Sequence, residues 1–235
     1  ICGSCGQRVE LSLDNGLLTL CPICYPLGSA SHGEKEVLEF VRSLGIECIE
    51  NVRDIIPPYE LDIYIPEHKL AIEYNGLYWH SEENKGKRYH LDKMKECKAR
   101  GITLIHVFED EWKQKSSIIK SLIRHRLGLT SRRHFARKCD VRSLNTDMQR
   151  VFFNENHISG YTLARKGFGL FHDDELLAAI TLRIPHQKKK YANAIEIARY
   201  ATKKGCSIVG GYSRLLAHSV FWAKEGGHDR VLTYA

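Results

Sequence analysis

Apolar and polar positions alternate most regularly between residues 60 and 75. Over 61–65, Leu61, Ile63 and Ile65 share one side, and Asp62 and Tyr64 the other. Over 69–74, Leu70, Ile72 and Tyr74 oppose Ala71 and Glu73. This period of two, with Pro66-Glu67-His68 between the runs, predicts a β-hairpin with one acid on each strand. A turn at Asn75-Gly76 then leads to Tyr78, Trp79 and His80. Upstream, Val37, Leu38, Val41 and Leu44 recur at helical spacing. Ser31 and Glu34 form the capping box of that helix, and Gly45 ends it. A strand is predicted over 48–52 and a loop over 55–58. Downstream, a helix over 90–100 carries His90, Asp92, Lys93 and a basic face of Lys95, Lys98 and Arg100. Gly101 stops it before a buried strand over 102–108. The run Glu109-Asp110-Glu111-Trp112 reads as a solvated helix start, where carboxylates favour the N-terminal dipole. An amphipathic basic helix follows over 116–127.

From Phe135 the pattern changes. A strand over 135–142 and a helix over 146–156 precede strands near 168–172, 176–183 and 194–201. A helix follows Gly210-Gly211, and a last strand covers 230–235. A sheet seldom stops on an unsupported strand, so the natural chain is expected to continue past Ala235; Ile1 in place of Met reads as a fragment's start. The fold class is α/β (α+β), divided as 1–28, 29–113, a basic linker helix over 114–134, and 135–235.

The 235 residues allow real cores and contain no apolar run near the roughly 18 residues of a membrane span. A net charge of +7 favours a polyanionic partner, with a nucleic acid as the expectation and no membrane. Of eight cysteines, Cys2, Cys5, Cys21 and Cys24 form C-x2-C, fifteen residues, C-x2-C. That spacing aims four thiolates at one tetrahedral ion and predicts a structural Zn²⁺ ribbon over 1–28, with a hairpin turning at Asp14-Asn15-Gly16. The other cysteines are scattered singly, which with no secretory signal suggests an intracellular setting.

Two acids on consecutive strands need partners or a cation, because unpaired burial is costly. Asp62 and Glu73 are therefore the candidate Mg²⁺ ligands, with His80 as general base on water. Glu34 has a ready role in closing its cap, and a second possible one facing the hairpin. His90 and Asp92 are candidates for a relay or transition-state support; Tyr78 and Trp79 read as packing and His106 as a core residue. Arg132, Arg133, Arg137 and Lys138 are either a solvated face or phosphate contacts.

With those residues in place, 31–112 resemble the very short patch repair endonucleases of the PD-(D/E)xK superfamily. They are closer still to the nuclease domain of phage-encoded homing endonucleases related to that enzyme. Ser31-x-x-Glu34 with Val37, Phe40, Val41, Leu44 and Gly45 resembles the family's first helix, and Asp62 falls on its metal-binding aspartate. Asn75-Gly76-Leu77-Tyr78-Trp79-His80 is similar to its His-Gly-Cys-Phe-Trp-His segment. His90-Leu91-Asp92-Lys93 and 105–112 resemble the phage branch. Two departures stand out: Asn75 replaces the first histidine of that segment and also occupies the superfamily's lysine position. Lys93 is the nearest candidate to replace that charge, and Glu73 sits at the superfamily's second-acid position.

Residues 135–235 resemble the second domain of the same phage proteins, which is similar to GNAT-type acyltransferases, here incomplete. Glu175 to Ala179, Arg199 and 209–215 carry that likeness. Gly210 and Gly211 open a helix where such folds hold a pyrophosphate, although the pair also reads as a turn. Asn156-His157 and Gly160 mark another possible site there, equally well read as a helix end. The resemblance implies a Mg²⁺-dependent, site-specific endodeoxyribonuclease acting on double-stranded DNA in the host cytoplasm, with a dimer possible for double-strand cleavage. A nuclease-dead DNA-binding module and an acyltransferase-like DNA-modifying protein are the alternatives.

Overall fold

The computed structural model describes residues 6–9, 13–14, 17–18, 31–76, 89–187 and 190–233. It has a mixed α+β fold, divided into two compact units at Ser116/Ser117. Cys2, Cys5, Cys21 and Cys24 lie outside the described residues, as does His80 with Tyr78 and Trp79. The expected N-terminal hairpin is seen in outline: β1 (Leu13–Asp14) pairs antiparallel with β2 (Leu17–Leu18).

In the first unit, α1 (His32–Ser43) begins with both halves of the Ser31/Glu34 capping box and buries Val37, Leu38, Phe40 and Val41. Four strands follow: β3 (Ile49–Ile56), β4 (Tyr59–Ile65), β5 (Leu70–Asn75) and β6 (Thr103–Phe108). They form one sheet in that order, antiparallel except for the parallel β5–β6 pair. The parallel pair is joined through α2 (Tyr89–Ala99), whose buried Cys97 packs with Val52, Leu61, Ala71 and Ile102.

The β4–β5 hairpin has the expected facing. Leu61, Ile63, Ile65, Leu70 and Ile72 are buried, and Lys69 takes the left-handed turn at φ 44°. The loop expected over 55–58 is shorter, because β3 runs on to Ile56. A register shift after Val52 absorbs the polar Arg53-Asp54 step and returns Ile56 to the core opposite Tyr59. The acid run does begin a helix, α3 (Glu109–Arg126), which breaks at Lys115, just before the expected start at Ser116. Its first part is tied to α1 by Trp112, whose Nε1 donates to Glu36 at 2.8 Å and whose ring lies 6.4 Å from Phe40.

In the second unit the single strand expected over 135–142 is two strands in two sheets. β7 (Arg132–Phe135) stops at a 3-10 turn over Ala136–Lys138, and β8 (Asp140–Ser143) starts beyond it. Burial of Ala136 and Cys139 on either side of the exposed Arg137-Lys138 step forces that turn. Then follow α4 (Thr146–Asn156), β9 (Lys166–His172), β10 (Glu175–Arg183), β11 (Ala194–Thr202), β12 (Cys206–Val209), α5 (Gly211–Glu225) and β13 (Arg230–Leu232). The main sheet has the order β13-β11-β10-β9-β8, antiparallel except for β11–β13. The unforeseen β12 pairs in parallel with β7. α5 and α4 border separate cores, built on Phe168, Leu170 and Ile180 and on Phe152, Phe153 and Phe171 respectively.

Candidate metal centre and its surroundings

The hairpin register sets the site. Ile63 pairs with Ile72, so the next step of the ladder puts Asp62 opposite Glu73. On the other side of β5, Glu73 is in register with His106 of the parallel β6. Parallel neighbours project their side chains the same way, so three polar residues form a row across an otherwise apolar sheet. Asp62 Oδ2 accepts the backbone N–H of Tyr74 at 2.8 Å, which fixes one carboxylate oxygen and leaves the other available.

Glu73 is buried and forms an ion pair with Lys93, which α2 delivers almost fully buried onto Glu73 Oε2. Residues 89, 93 and 97 recur every four residues, about one helical turn, so Lys93 occupies the inward stripe that also carries Cys97. Lys93 thus brings into contact with Glu73 a positive charge that Asn75, on the same strand as Glu73, does not carry. Sequence reasoning named Lys93 as a candidate, and the helical phase of 93 with 97 is the signal supporting it.

Glu34 closes its cap and also feels the charge of the hairpin acids. Its Oε2 accepts from Ser31 N at 3.3 Å, closing the cap, and its carboxyl is raised above the ordinary value. Burial is the main cause, with the Glu73 charge adding to it against the cap hydrogen bond. The close docking of α1 on β5 is permitted by Gly33, where a Cβ would sit 2.0 Å from Tyr74 Oη. Asp62 registers the crowding most strongly. Burial, then the Glu73 carboxylate, push its carboxyl up to about 8, with Glu34 adding to the rise; Lys93 and the Tyr74 N–H oppose it. The Tyr89 phenol at the start of α2 is raised too, by burial and then by Glu73 and Asp62.

The remaining predicted residues are placed differently. His90 stands edge-on to His106 at 5.7 Å between ring centres. His106 is partly buried on the polar row, where its Nδ1 lies 3.1 Å from Asn75 Nδ2, and is therefore not the core residue expected. Strand alternation explains the difference: Ile105 and Val107 take the core and turn His106 to the other face. Asp92 faces outward and meets Lys95 Nζ at 3.1 Å, so α2 brings Lys93 rather than Asp92 to the acids. Tyr89 and the Asn75–His106 contact had not been singled out; their signal was register with Glu73 and phase with Lys93.

The donor chemistry suits one kind of ion. Among the described residues no group of three or more His, Cys, Asp or Glu side chains could by itself enclose a metal. Asp62 has one carboxylate oxygen outside the Tyr74 hydrogen bond, and Glu73 stands opposite it on the ladder. Mg²⁺ characteristically takes one or two carboxylates and completes its shell with water and phosphate oxygens, so the pair fits Mg²⁺.

In the second unit, Arg132 is neutralised by Glu175. Its Nη1 donates to Oε1 at 2.8 Å, its Nη2 also reaches that carboxylate, and Lys203 Nζ joins at 2.7 Å. The two cations hold the Glu175 carboxyl down at about 2. Arg133, Arg137 and Lys138 remain exposed. Gly210 adopts φ 75° before α5, and a Cβ on Gly211 would meet Ile208 Cγ2 at 3.0 Å, so backbone shape and packing account for both glycines. Arg199 Nε donates to the Gly160 carbonyl at 3.1 Å. Among the described residues no helix is long and apolar enough to cross a membrane.

No family model matches the chain, and no curated protein matches it in sequence. Among solved structures, the catalytic domain of the homing endonuclease I-Bth0305I is similar at 23% identity and a TM-score of 0.36, covering 42% of this chain and 96% of that domain.

Proposed function

We propose that this chain is a Mg²⁺-dependent DNA endonuclease that hydrolyses phosphodiester bonds. The observation that carries the reading is the concentration of negative charge at one end of the hairpin. Asp62 and Glu73 face each other, Glu34 adds to their field, and Asp62 is pushed so high that it favours a proton where no cation compensates. A net charge of +7 supports a nucleic acid as partner. The motif likeness of 31–112 supports the finer form, a site-specific homing endonuclease acting on double-stranded DNA in the host cytoplasm.

Asp62 and Glu73 would hold Mg²⁺, which when bound polarises the scissile phosphate and stabilises the leaving oxygen. The Tyr74 N–H orients Asp62. Lys93 pairs with Glu73 and places a positive charge beside the developing phosphate charge. Glu34, fixed by its own cap, orients water near the acids. His80 takes the proton from that water, and His90, edge-on to His106, is the candidate for transition-state support. Cys2, Cys5, Cys21 and Cys24 bind the structural zinc.

The test is incubation of supercoiled plasmid with the protein, with and without Mg²⁺. Nicked or linear products carrying 5′- or 3′-phosphate ends are expected only with the ion. Intact plasmid at every Mg²⁺ and Mn²⁺ concentration would leave a DNA-binding module in place of an enzyme.

A further inference from the structure

The arginines of the second unit fall into distinct groups. Arg132, Arg142, Arg150, Arg183 and Arg230 each meet a carboxylate. Arg133 and Arg137 are exposed and, among the described residues, meet none; the same holds for Lys138. Instead, both guanidinium groups flank one ring. Arg133 lies 5.6 Å and Arg137 5.3 Å from the centre of Phe135.

That ring is 39% exposed at the last position of β7, in register with Val209, itself 40% exposed. The arrangement is supported from below. Ala136 is buried, and its carbonyl accepts from Arg214 Nη1 at 2.6 Å, which fixes the turn that brings Arg137 back over the ring. An exposed aromatic surface with two unneutralised cations beside it suits a ligand that offers a flat π-face between negative charges.

We propose that this surface binds single-stranded DNA, with an unpaired base stacked on Phe135 and flanking phosphates on Arg133, Arg137 and Lys138. The choice of DNA over other polyanions rests on the nuclease reading. Base stacking on an aromatic side chain tolerates any sequence, and arginine adds a cation–π contribution. A closed duplex hides its base faces, so Phe135 distinguishes opened or frayed DNA from paired DNA. The surface would hold a strand that has left the duplex.

The experiment is fluorescence anisotropy of the full-length chain in buffer without added magnesium. The probes are a short labelled oligothymidylate and a labelled hairpin duplex, and thermal midpoints confirm that each variant folds. Phe135→Ala is expected to weaken oligothymidylate binding by about tenfold and Phe135→Trp to retain it, with duplex affinity unchanged. The Arg133→Ala/Arg137→Ala pair is expected to lower the slope of log affinity against log salt by about 1.4, while Phe135→Ala leaves that slope alone. Wild-type oligothymidylate affinity in Phe135→Ala, or an equal loss for the duplex, would overturn the proposal. Displacement of the oligonucleotide by acetyl-coenzyme A would also overturn it, by assigning the surface to a small nucleotide cofactor. Because no cleavage is measured, failure of the nuclease assay and failure of this surface are read separately.

Discussion

Replacing Lys93 with methionine probes the site where its electrostatics are most exposed. The change keeps an unbranched side chain one atom shorter and removes the charge that meets Glu73, whose side chain is only 5% exposed. Removing one partner of a buried ion pair costs roughly 3–5 kcal/mol, because the other charge is left uncompensated. The cost depends on pH in a defined direction. Without Lys93 the buried Glu73 carboxylate loses its counter-charge, and Asp62, already at about 8, loses an influence that lowers it. Stability from a raised carboxyl is fully present below the unfolded pKa and is lost as pH rises through the folded one. Lys93→Met should therefore be closest to wild type near pH 4 and show a large, still growing loss near pH 8. Adding Glu73→Gln should recover most of it, since a neutral pair needs no compensation. Urea unfolding without magnesium at the two pH values measures this. Wild-type stability of Lys93→Met at pH 8, or a double variant weaker than the single one there, would refute the ion-pair account.

Other expectations follow from the same geometry. Magnesium uptake should release a proton below pH 8, because Asp62 must ionise to bind, so affinity should climb as pH rises towards about 8; calorimetry in two buffers of different ionisation enthalpy measures the release. Gly33→Ala places a Cβ 2.0 Å from Tyr74 Oη, and should cost about 1–3 kcal/mol in thermal unfolding while reducing cleavage by moving Glu34 away from the acids. Chelating zinc should unfold residues 1–28 alone, seen as loss of protection from proteolysis there and retention elsewhere; unchanged protection in metal-free protein would remove the zinc assignment.

The hairpin and its two acids were legible because a period of two, bounded by Pro66 and Asn75-Gly76, depends only on local chain geometry. The capping box at Ser31 and Glu34 was legible for the same reason. Longer-range relations were harder to read. Nothing near Arg53-Asp54 announces that β3 resumes after its register shift. The stretch Cys206–Val209 is too short to show periodicity and becomes a strand only by pairing with β7. Residues 135–142 read as one strand because the turn at Ala136–Lys138 is set by burial of Ala136 and Cys139. In the site, His106 was mistaken for core because a histidine between Ile105 and Val107 looks enclosed, whereas its register with Glu73 exists only once β5 and β6 are paired. The nearness of Glu34 to the hairpin acids likewise required the docking of α1 on β5.

The central claim is that Asp62 is a metal ligand and not merely a buried acid. It is tested most directly by plasmid cleavage with wild type and Asp62→Asn side by side across a magnesium titration. Asparagine keeps an oxygen to accept the Tyr74 N–H, so folding and DNA binding should persist while magnesium-dependent cleavage is lost. Asp62→Asn cleaving at the wild-type rate, with the same magnesium dependence, would contradict the account.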